Sequence, residues 1–322
     1  MSLVVAIQMD PIDAIDIKSD STFILALEAQ ARGHLLYHYL PQDLTLEKNS
    51  VTACARALTV REVEGDHFSL GDKEWFNLGL ADVVLMRQDP PFNMAYITAT
   101  HLLEHVHPET YVVNDPVSVR NAPEKLFVTH FAEFMPPTLI TSNRDKIREF
   151  RDQHKDLIIK PLFGNGGAGV FHLAPEDENL NSLLELFAKL YREPLIVQRY
   201  EPKVRDGDKR IILIDGKPVG ALNRVPAKGE SRSNLHVGGC AQKAKLSRRE
   251  EEICEAIGPS LVERGLILVG IDVIGDQITE INVTSPTCLQ EINHFDNVKL
   301  EANVWDAIDE KISINGSQLS CV

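Results

Sequence analysis

The sequence predicts an α/β unit followed by an α+β nucleotide-binding module. Three observations carry this reading. Over roughly residues 1–120, short apolar runs alternate with stretches of helical periodicity. Beyond residue 120, strand-like runs are joined by tight turns rather than by helices. A glycine-rich stretch from Gly164 to Gly169 then sits between two of those runs.

The elements follow in order. Leu3-Val4-Val5-Ala6-Ile7 is a continuous apolar run, as in a strand buried on both faces. Ser19-Asp20-Ser21 offers N-caps, Phe23, Ile24, Leu27 and Ala31 recur at helical spacing, and Gly33 stops the helix. Strands are expected at 35–40 and 81–87, a helix at 93–106, and a short strand at 111–114. In such a unit ligands lie at the carboxyl ends of the strands, here near Met9-Asp10-Pro11 and 87–89. Further on, strands are expected at 157–161, 170–173 and 195–198, with a helix at 177–191. A hairpin turns at Asp215-Gly216-Lys217, and a second joins 266–274 to 278–283 through Gly275-Asp276-Gln277. A capped helix fits 247–265 and another 301–312. Residues 226–239 hold Gly229, Gly238, Gly239, Ser231 and Ser233 with few apolar residues, the composition of a mobile loop.

The chain has 322 residues, enough for two or three domains at about 150 residues each. Thirty-three Lys and Arg stand against 47 Asp and Glu, a net charge of −14. That balance argues against nonspecific nucleic-acid binding but leaves anionic small substrates open, because a few local cations decide those. No apolar run reaches membrane-spanning length, so no membrane partner is expected. The opening MSLVVAIQMDP lacks a basic segment and its apolar run ends at Asp10-Pro11, so no signal peptide is expected. Five scattered cysteines without a CxxC fit free thiols in a reducing, cytoplasmic setting.

Three motifs bear on chemistry. Gly164-Asn165-Gly166-Gly167-Ala168-Gly169 satisfies G-x-G-x-x-G, but a dinucleotide fold needs a helix next, and here Val170-Phe171-His172-Leu173 reads as a strand. A glycine loop between two strands can still bind phosphate through its unobstructed backbone N–H groups. His101-Leu102-Leu103-Glu104-His105 matches H-x-x-E-H, for which a solvated helix face is the plainer reading. Asp272 lies on one arm of the last hairpin, with Glu280 and Asn282 on one face of the other arm. The turn places Asp272 opposite Glu280, and three oxygen donors there suit Mg²⁺ carrying a polyphosphate.

Together these residues resemble the ATP-grasp ligases and, more narrowly, the bacterial glutathione synthetases. The resemblance spans nearly the whole chain. It is carried by Met9-Asp10-Pro11-Ile12, MRQDPPF at 86–92, NAPEKL at 121–126, Ile159-Lys160-Pro161, the glycine loop, Asp206-Gly207-Asp208-Lys209-Arg210 and GIDVIGDQITEINVTSPT at 270–287. It implies a Rossmann-like domain preceding an ATP-grasp module: an N-terminal domain at 1–122, a central subdomain at 123–202, and a C-terminal subdomain at 203–322. Phe163, Glu201 and Cys240 depart from the family pattern, which carries an acidic residue, a leucine and often an arginine there.

The activity implied is ATP-dependent ligation of γ-glutamylcysteine with glycine through an acyl phosphate. Lys125 and Lys160 are implied to hold ATP phosphates, with Gly164, Asn165, Gly166, Gly167, Ala168 and Gly169 closing over them. Gln198, Arg199, Tyr200 and Glu201 are implied to line the adenine and ribose pocket, and Asp208 to hold a polar group. Arg210 is implied to stabilise the transferring phosphoryl group, Arg232 to reach the site from the loop, and Asp272, Glu280 and Asn282 to bind two Mg²⁺ ions, with Mn²⁺ able to substitute. Met9, Asp10, Pro11, Ile12, Arg87 and Asp89 are implied to face the dipeptide, and Arg224, Arg232, Asn234 and Ser285 to meet peptide or glycine carboxylates. A homotetramer or homodimer is implied as well. Other readings are a different ATP-grasp ligase and a non-catalytic nucleotide-binding module. The Thr284-Ser285-Pro286 run argues against the first, and the intact acidic set against the second.

Overall fold

The computed structural model describes residues 2–319 apart from Ser231, His236 and Val237, and for residues 315–319 the backbone alone. In chain order the strands and helices are β1 (Val4–Gln8), α1 (Ser21–Ala31), β2 (Leu35–Tyr39), β3 (Leu44–Glu47), β4 (Ser50–Val60), β5 (Phe68–Asn77), β6 (Val83–Met86), α2 (Met94–Glu104), β7 (Tyr111–Val113), α3 (Pro116–Asn121) and α4 (Glu124–Phe127). Then come β8 (Thr138–Thr141), α5 (Arg144–His154), β9 (Leu157–Pro161), β10 (Phe171–Leu173), α6 (Leu180–Leu190) and β11 (Leu195–Arg199). The last part holds β12 (Asp208–Ile214), β13 (Lys217–Val225), β14 (Cys240–Lys243), α7 (Arg248–Glu263), β15 (Leu268–Ile274), β16 (Gln277–Asn282), α8 (Leu289–Asp296) and α9 (Leu300–Leu319).

These elements form three sheets. The first has the order β3-β4-β2-β1-β6-β7, with β5 on the far side of β4. Its centre is parallel, β2-β1-β6-β7, as the alternation of apolar runs and helices requires. Its other end is an antiparallel extension, β3 to β5, that the sequence reading did not anticipate. The second sheet, β10-β9-β11-β8, and the third, β14-β13-β12-β15-β16, are antiparallel throughout. The fold is thus a parallel-centred α/β part joined to a pair of antiparallel sheets.

The two expected hairpins form with tighter turns than expected. Asp215-Gly216 joins β12 to β13, and Gly275-Asp276 joins β15 to β16. The second is two residues long, not three. A bulge at Thr279 supplies the missing residue, so Asp272 still lies opposite Glu280. The glycine loop runs from β9 into β10, and these strands pair antiparallel, which rules out the strand-to-helix geometry of a dinucleotide fold.

The core is laid down by the apolar runs. Val5, Ile7, Val83 and Leu85 of the parallel strands are fully buried, and the last helix closes one side of them. Trp305 of α9 is buried and donates its indole N–H to Leu25 O of α1 at 2.9 Å. Arg32, which caps α1, reaches Asp306 at 2.8 Å and Asp309 at 2.9 Å on α9.

Candidate active site

The third sheet arranges charges by register. Arg210 on β12 pairs with Asp272 on β15, and Asp272 pairs with Glu280 on β16. One row across three strands therefore carries a cation and two carboxylates on one face. In the next row Asp208 lies opposite Arg224 of β13. Sheet geometry sets these neighbours about 5 Å apart without help from any loop.

The contacts follow the register. Arg210 grips Asp272 with two bonds, Nε to Oδ1 at 2.5 Å and a terminal nitrogen to Oδ2 at 3.0 Å. Arg224 bridges Asp208 at 2.7 Å and Asp272 at 3.0 Å. Asn282 donates to Asp272 Oδ2 at 3.3 Å. Burial opposes ionisation of Asp272, but the two guanidinium groups more than reverse it and hold its carboxyl well below the usual range. Gly270 makes this packing possible, since a Cβ there would meet the Arg210 side chain at 3.0 Å.

Glu280 is met from the second sheet. Lys160, near the end of β9, reaches Glu280 Oε1 at 3.0 Å, and Lys125 of α4 approaches the same oxygen at 3.5 Å. Lys125 also pairs with Glu124 and donates to Gly164 O at 2.6 Å, which ties it to the glycine loop. Burial raises the Glu280 carboxyl, and Lys125 and Lys160 bring it below its ordinary value. Two buried ammonium groups and the glycine loop thus face an acidic row across one cleft. Gly167 and Asn234 bring the two loops together, because a Cβ on Gly167 would lie 2.7 Å from Asn234 Oδ1. Arg232 is held by Glu230 at 2.6 Å, and Ser233 donates to Asp208 at 2.8 Å.

The cleft has a volume of about 680 Å³. Of the residues singled out from sequence, it brings together Lys125, Lys160, 164–168, 198–201, Asp208, Arg210, Arg224, Arg232, Asn234, Asp272, Glu280, Asn282 and Ser285, and at its far end Asp10, Pro11, Arg87 and Asp89. Three candidates do not line it. Met9 and Ile12 are buried in the apolar core, and Gly169 turns away against Pro161 and Tyr191. Of the loop at 226–239, Ser231, His236 and Val237 lie outside the described residues. His101 and Glu104 sit on the exposed side of α2, 3.7 Å apart, and His105 lies just past its end.

The cleft also contains residues that sequence reasoning missed. Asp20, Ser21 and Thr22 at the start of α1 line it, and Thr22 accepts from the Arg87 Nε at 3.1 Å. Asp20 is also the N-cap that the sequence predicts, accepting from Phe23 N at 2.6 Å. A helix start at the carboxyl end of β1 was the available signal. Asp89 and Asp20 are both pushed up by burial. Asp89 N donates to Asp10 Oδ2 at 2.7 Å, which links the two loops at this end.

The donor set suits a hard divalent ion bound with a polyphosphate. Among the described residues no three His, Cys, Asp or Glu side chains converge. Asp272, Glu280 and Asn282 would offer such an ion two carboxylates and an amide oxygen, hard donors of the kind Mg²⁺ takes together with substrate phosphates. The model of the prokaryotic glutathione synthetase N-terminal domain matches residues 3–120, and that of the prokaryotic glutathione synthetase ATP-grasp domain matches residues 124–297.

The chain belongs to the prokaryotic glutathione synthetase family. A glutathione synthetase of Brucella melitensis is 58% identical over 311 residues, covering 97% of this chain and 100% of the relative. One from Pseudomonas putida is 44% identical, covering 97% and 99%. Among solved structures, D-cycloserine synthetase DcsG superposes with a TM-score of 0.68 at 15% identity, covering 96% of this chain and 99% of that one. The ATP-grasp ligase PsnB with its minimal precursor gives 0.62 at 19% identity, covering 96% and 99%. At those identities the structures attest the ATP-grasp fold alone. As a glutathione synthetase-family chain it uses ATP with a divalent metal ion. Among the described residues no helix is long and apolar enough to cross a membrane.

Proposed function

We propose that this cleft joins the cysteinyl carboxylate of γ-glutamylcysteine to glycine, with ATP converted to ADP and phosphate and glutathione released. The observation that carries the reading is the row Arg210-Asp272-Glu280 facing Lys160 and Lys125, within a chain of this family. The chemical problem is to make a carboxylate accept an amine. Phosphorylating it yields an acyl phosphate, which the glycine amine attacks, and phosphate leaves.

Each residue has a role in this scheme. Lys125 and Lys160 bind the ATP phosphates, and the loop at 164–169 covers them, with Gly169 shaping the turn from behind. Gln198, Arg199, Tyr200 and Glu201 hold adenine and ribose. Arg210 neutralises the phosphoryl group in flight, the kind of positioning that dominates phosphoryl transfer. Asp272, Glu280 and Asn282 hold two Mg²⁺ ions, or Mn²⁺ in their place, which screen the polyphosphate against the attacking carboxylate. Asp10, Pro11, Arg87 and Asp89 meet the dipeptide, and Arg224, Arg232, Asn234 and Ser285 meet carboxylates, while Asp208 holds Arg224 and Ser233 in place. The parts divide at 1–122, 123–202 and 203–322. The enzyme is cytoplasmic and works as a homotetramer or homodimer.

The test is phosphate release with MgATP, γ-glutamylcysteine and glycine, each omitted in turn, alongside mass detection of the tripeptide. Release that needs all three, with glutathione formed, is expected. No tripeptide with any amine would sink the reading. Chelation of the metal is expected to abolish release, and added Mg²⁺ to restore it.

The loop at 226–239 excludes water from the acyl phosphate. Replacing Glu230, Arg232, Ser233 and Asn234 together by alanine is expected to raise glycine-independent phosphate release several-fold while the tripeptide yield per ATP falls, roughly the effect of opening a lid. Unchanged coupling would remove the loop from this role.

A further inference from the structure

The loop that carries Asp10 and Pro11 into the cleft is held from behind by two buried histidines. His67, just before β5, places Nε2 2.7 Å from Ile12 O. His38, on β2, places Nε2 3.3 Å from Asp10 O. A carbonyl oxygen only accepts, so each ring carries its proton on Nε2 and donates. Both side chains are more than nine-tenths buried. The His67 ring is also packed against Phe23 and Phe68, with centroids 5.8 and 4.9 Å away. Burial lowers the His38 imidazolium, in keeping with a neutral donor.

A buried imidazole is a costly filler for an apolar site, and it is tolerated where it satisfies a partner. Here the two partners flank Pro11, which has no N–H of its own to anchor the chain. The same segment presents Asp10 and Pro11 to the cleft, and Asp10 in turn accepts from Asp89 N. Neither histidine lines the cleft.

We propose that His38 and His67 are positioning residues that hold the carbonyls on either side of Pro11 and so set the wall against which the dipeptide lies. This rests on the reading of that end of the cleft as the dipeptide side. It also accounts for the β3-to-β5 extension, whose β4–β5 connection delivers His67 to the loop.

The experiment compares the full-length native chain with His67→Ala, His67→Gln, His38→Ala and His38→Gln. Each alanine variant is expected to raise the KM for γ-glutamylcysteine about tenfold, the effect of one lost hydrogen bond, with the KM values for ATP and glycine within about twofold. Glutamine, which keeps an N–H donor at similar reach, is expected to recover most of the loss. An unchanged dipeptide KM, an equal rise in all three, or glutamine no better than alanine would overturn the proposal. Hydrogen exchange on the ligand-free proteins gives a readout independent of activity. Amides of Met9, Asp10 and residues 12–15 are expected to exchange faster in both alanine variants than in the native chain, and unaltered exchange there overturns the clamp. If the native chain makes no tripeptide, the ligase reading falls, and the exchange result alone still decides the clamp.

Discussion

Replacing Glu280 by glutamine is expected to lower turnover by about 10²- to 10³-fold, the scale of losing one preorganised electrostatic partner of a transferring phosphoryl group. The change keeps the shape of the side chain and removes its charge, so the proposed metal site would lose one of its two carboxylates. A second effect comes from the ligand-free protein, where Lys160 and Lys125 both rest on the Glu280 oxygen. Without that charge, among the described residues Lys125 keeps Glu124 and Gly164 O while Lys160 loses its carboxylate partner. Breaking a buried pair costs on the order of 3–5 kcal/mol, and the amide oxygen of glutamine recovers part of it. The variant is therefore expected to melt earlier than the native chain without nucleotide and to gain more from ATP, whose phosphates replace the missing anion. Kinetics across a Mg²⁺ titration and melting with and without nucleotide read the two effects separately. Turnover within about threefold of native at saturating Mg²⁺ would take Glu280 out of the metal set.

Arg210→Lys is the second large effect. Arg210 holds Asp272 through two bonds of a rigid planar fork, and lysine offers a single mobile charge. A fall in kcat of about 10²-fold or more is expected, with little change in the KM for ATP, because the interaction matters most while the phosphoryl group is in transit. Asp272 keeps Arg224 at 3.0 Å, so the sheet stays folded and the loss reads as chemistry. Rapid-quench measurement of acyl phosphate formation checks this. A variant that is slow only in product release would contradict the role given to Arg210.

The acidic hairpin was legible because strand periodicity alone places Glu280 and Asn282 on one face, and a short turn brings Asp272 across. The structure reached that register by a bulge at Thr279 rather than by a longer turn. The alternation of apolar runs exposed the parallel strands, since strands buried on both faces show uninterrupted apolar residues. What stayed hidden had weaker patterns. In β4 the inward residues include Ala53 and Ala55, small enough to look neutral, and β5 is an edge strand whose middle is exposed. Helix α5 buries Ile147 completely and packs Phe150 against the same core, but most of its other residues are charged, so two apolar positions three apart are a faint signal. Met9 and Ile12 were misplaced because a motif marks which segment reaches a site, not which of its side chains point there. Arg224 and Asp208 sit 16 residues apart, and that they pair depends on the register between β12 and β13.

The contact between α9 and α1 joins residues 280 positions apart, Trp305 to Leu25, and Arg32 adds two carboxylates from the same helix. On the ribosome, α1 and the strands behind it emerge early, yet one side of their apolar core stays uncovered until α9 has been made. The core behind β1 and α1 therefore stays incomplete until nearly the whole chain has been made. A nascent chain stalled before α9 is expected to present an open hydrophobic face to chaperones.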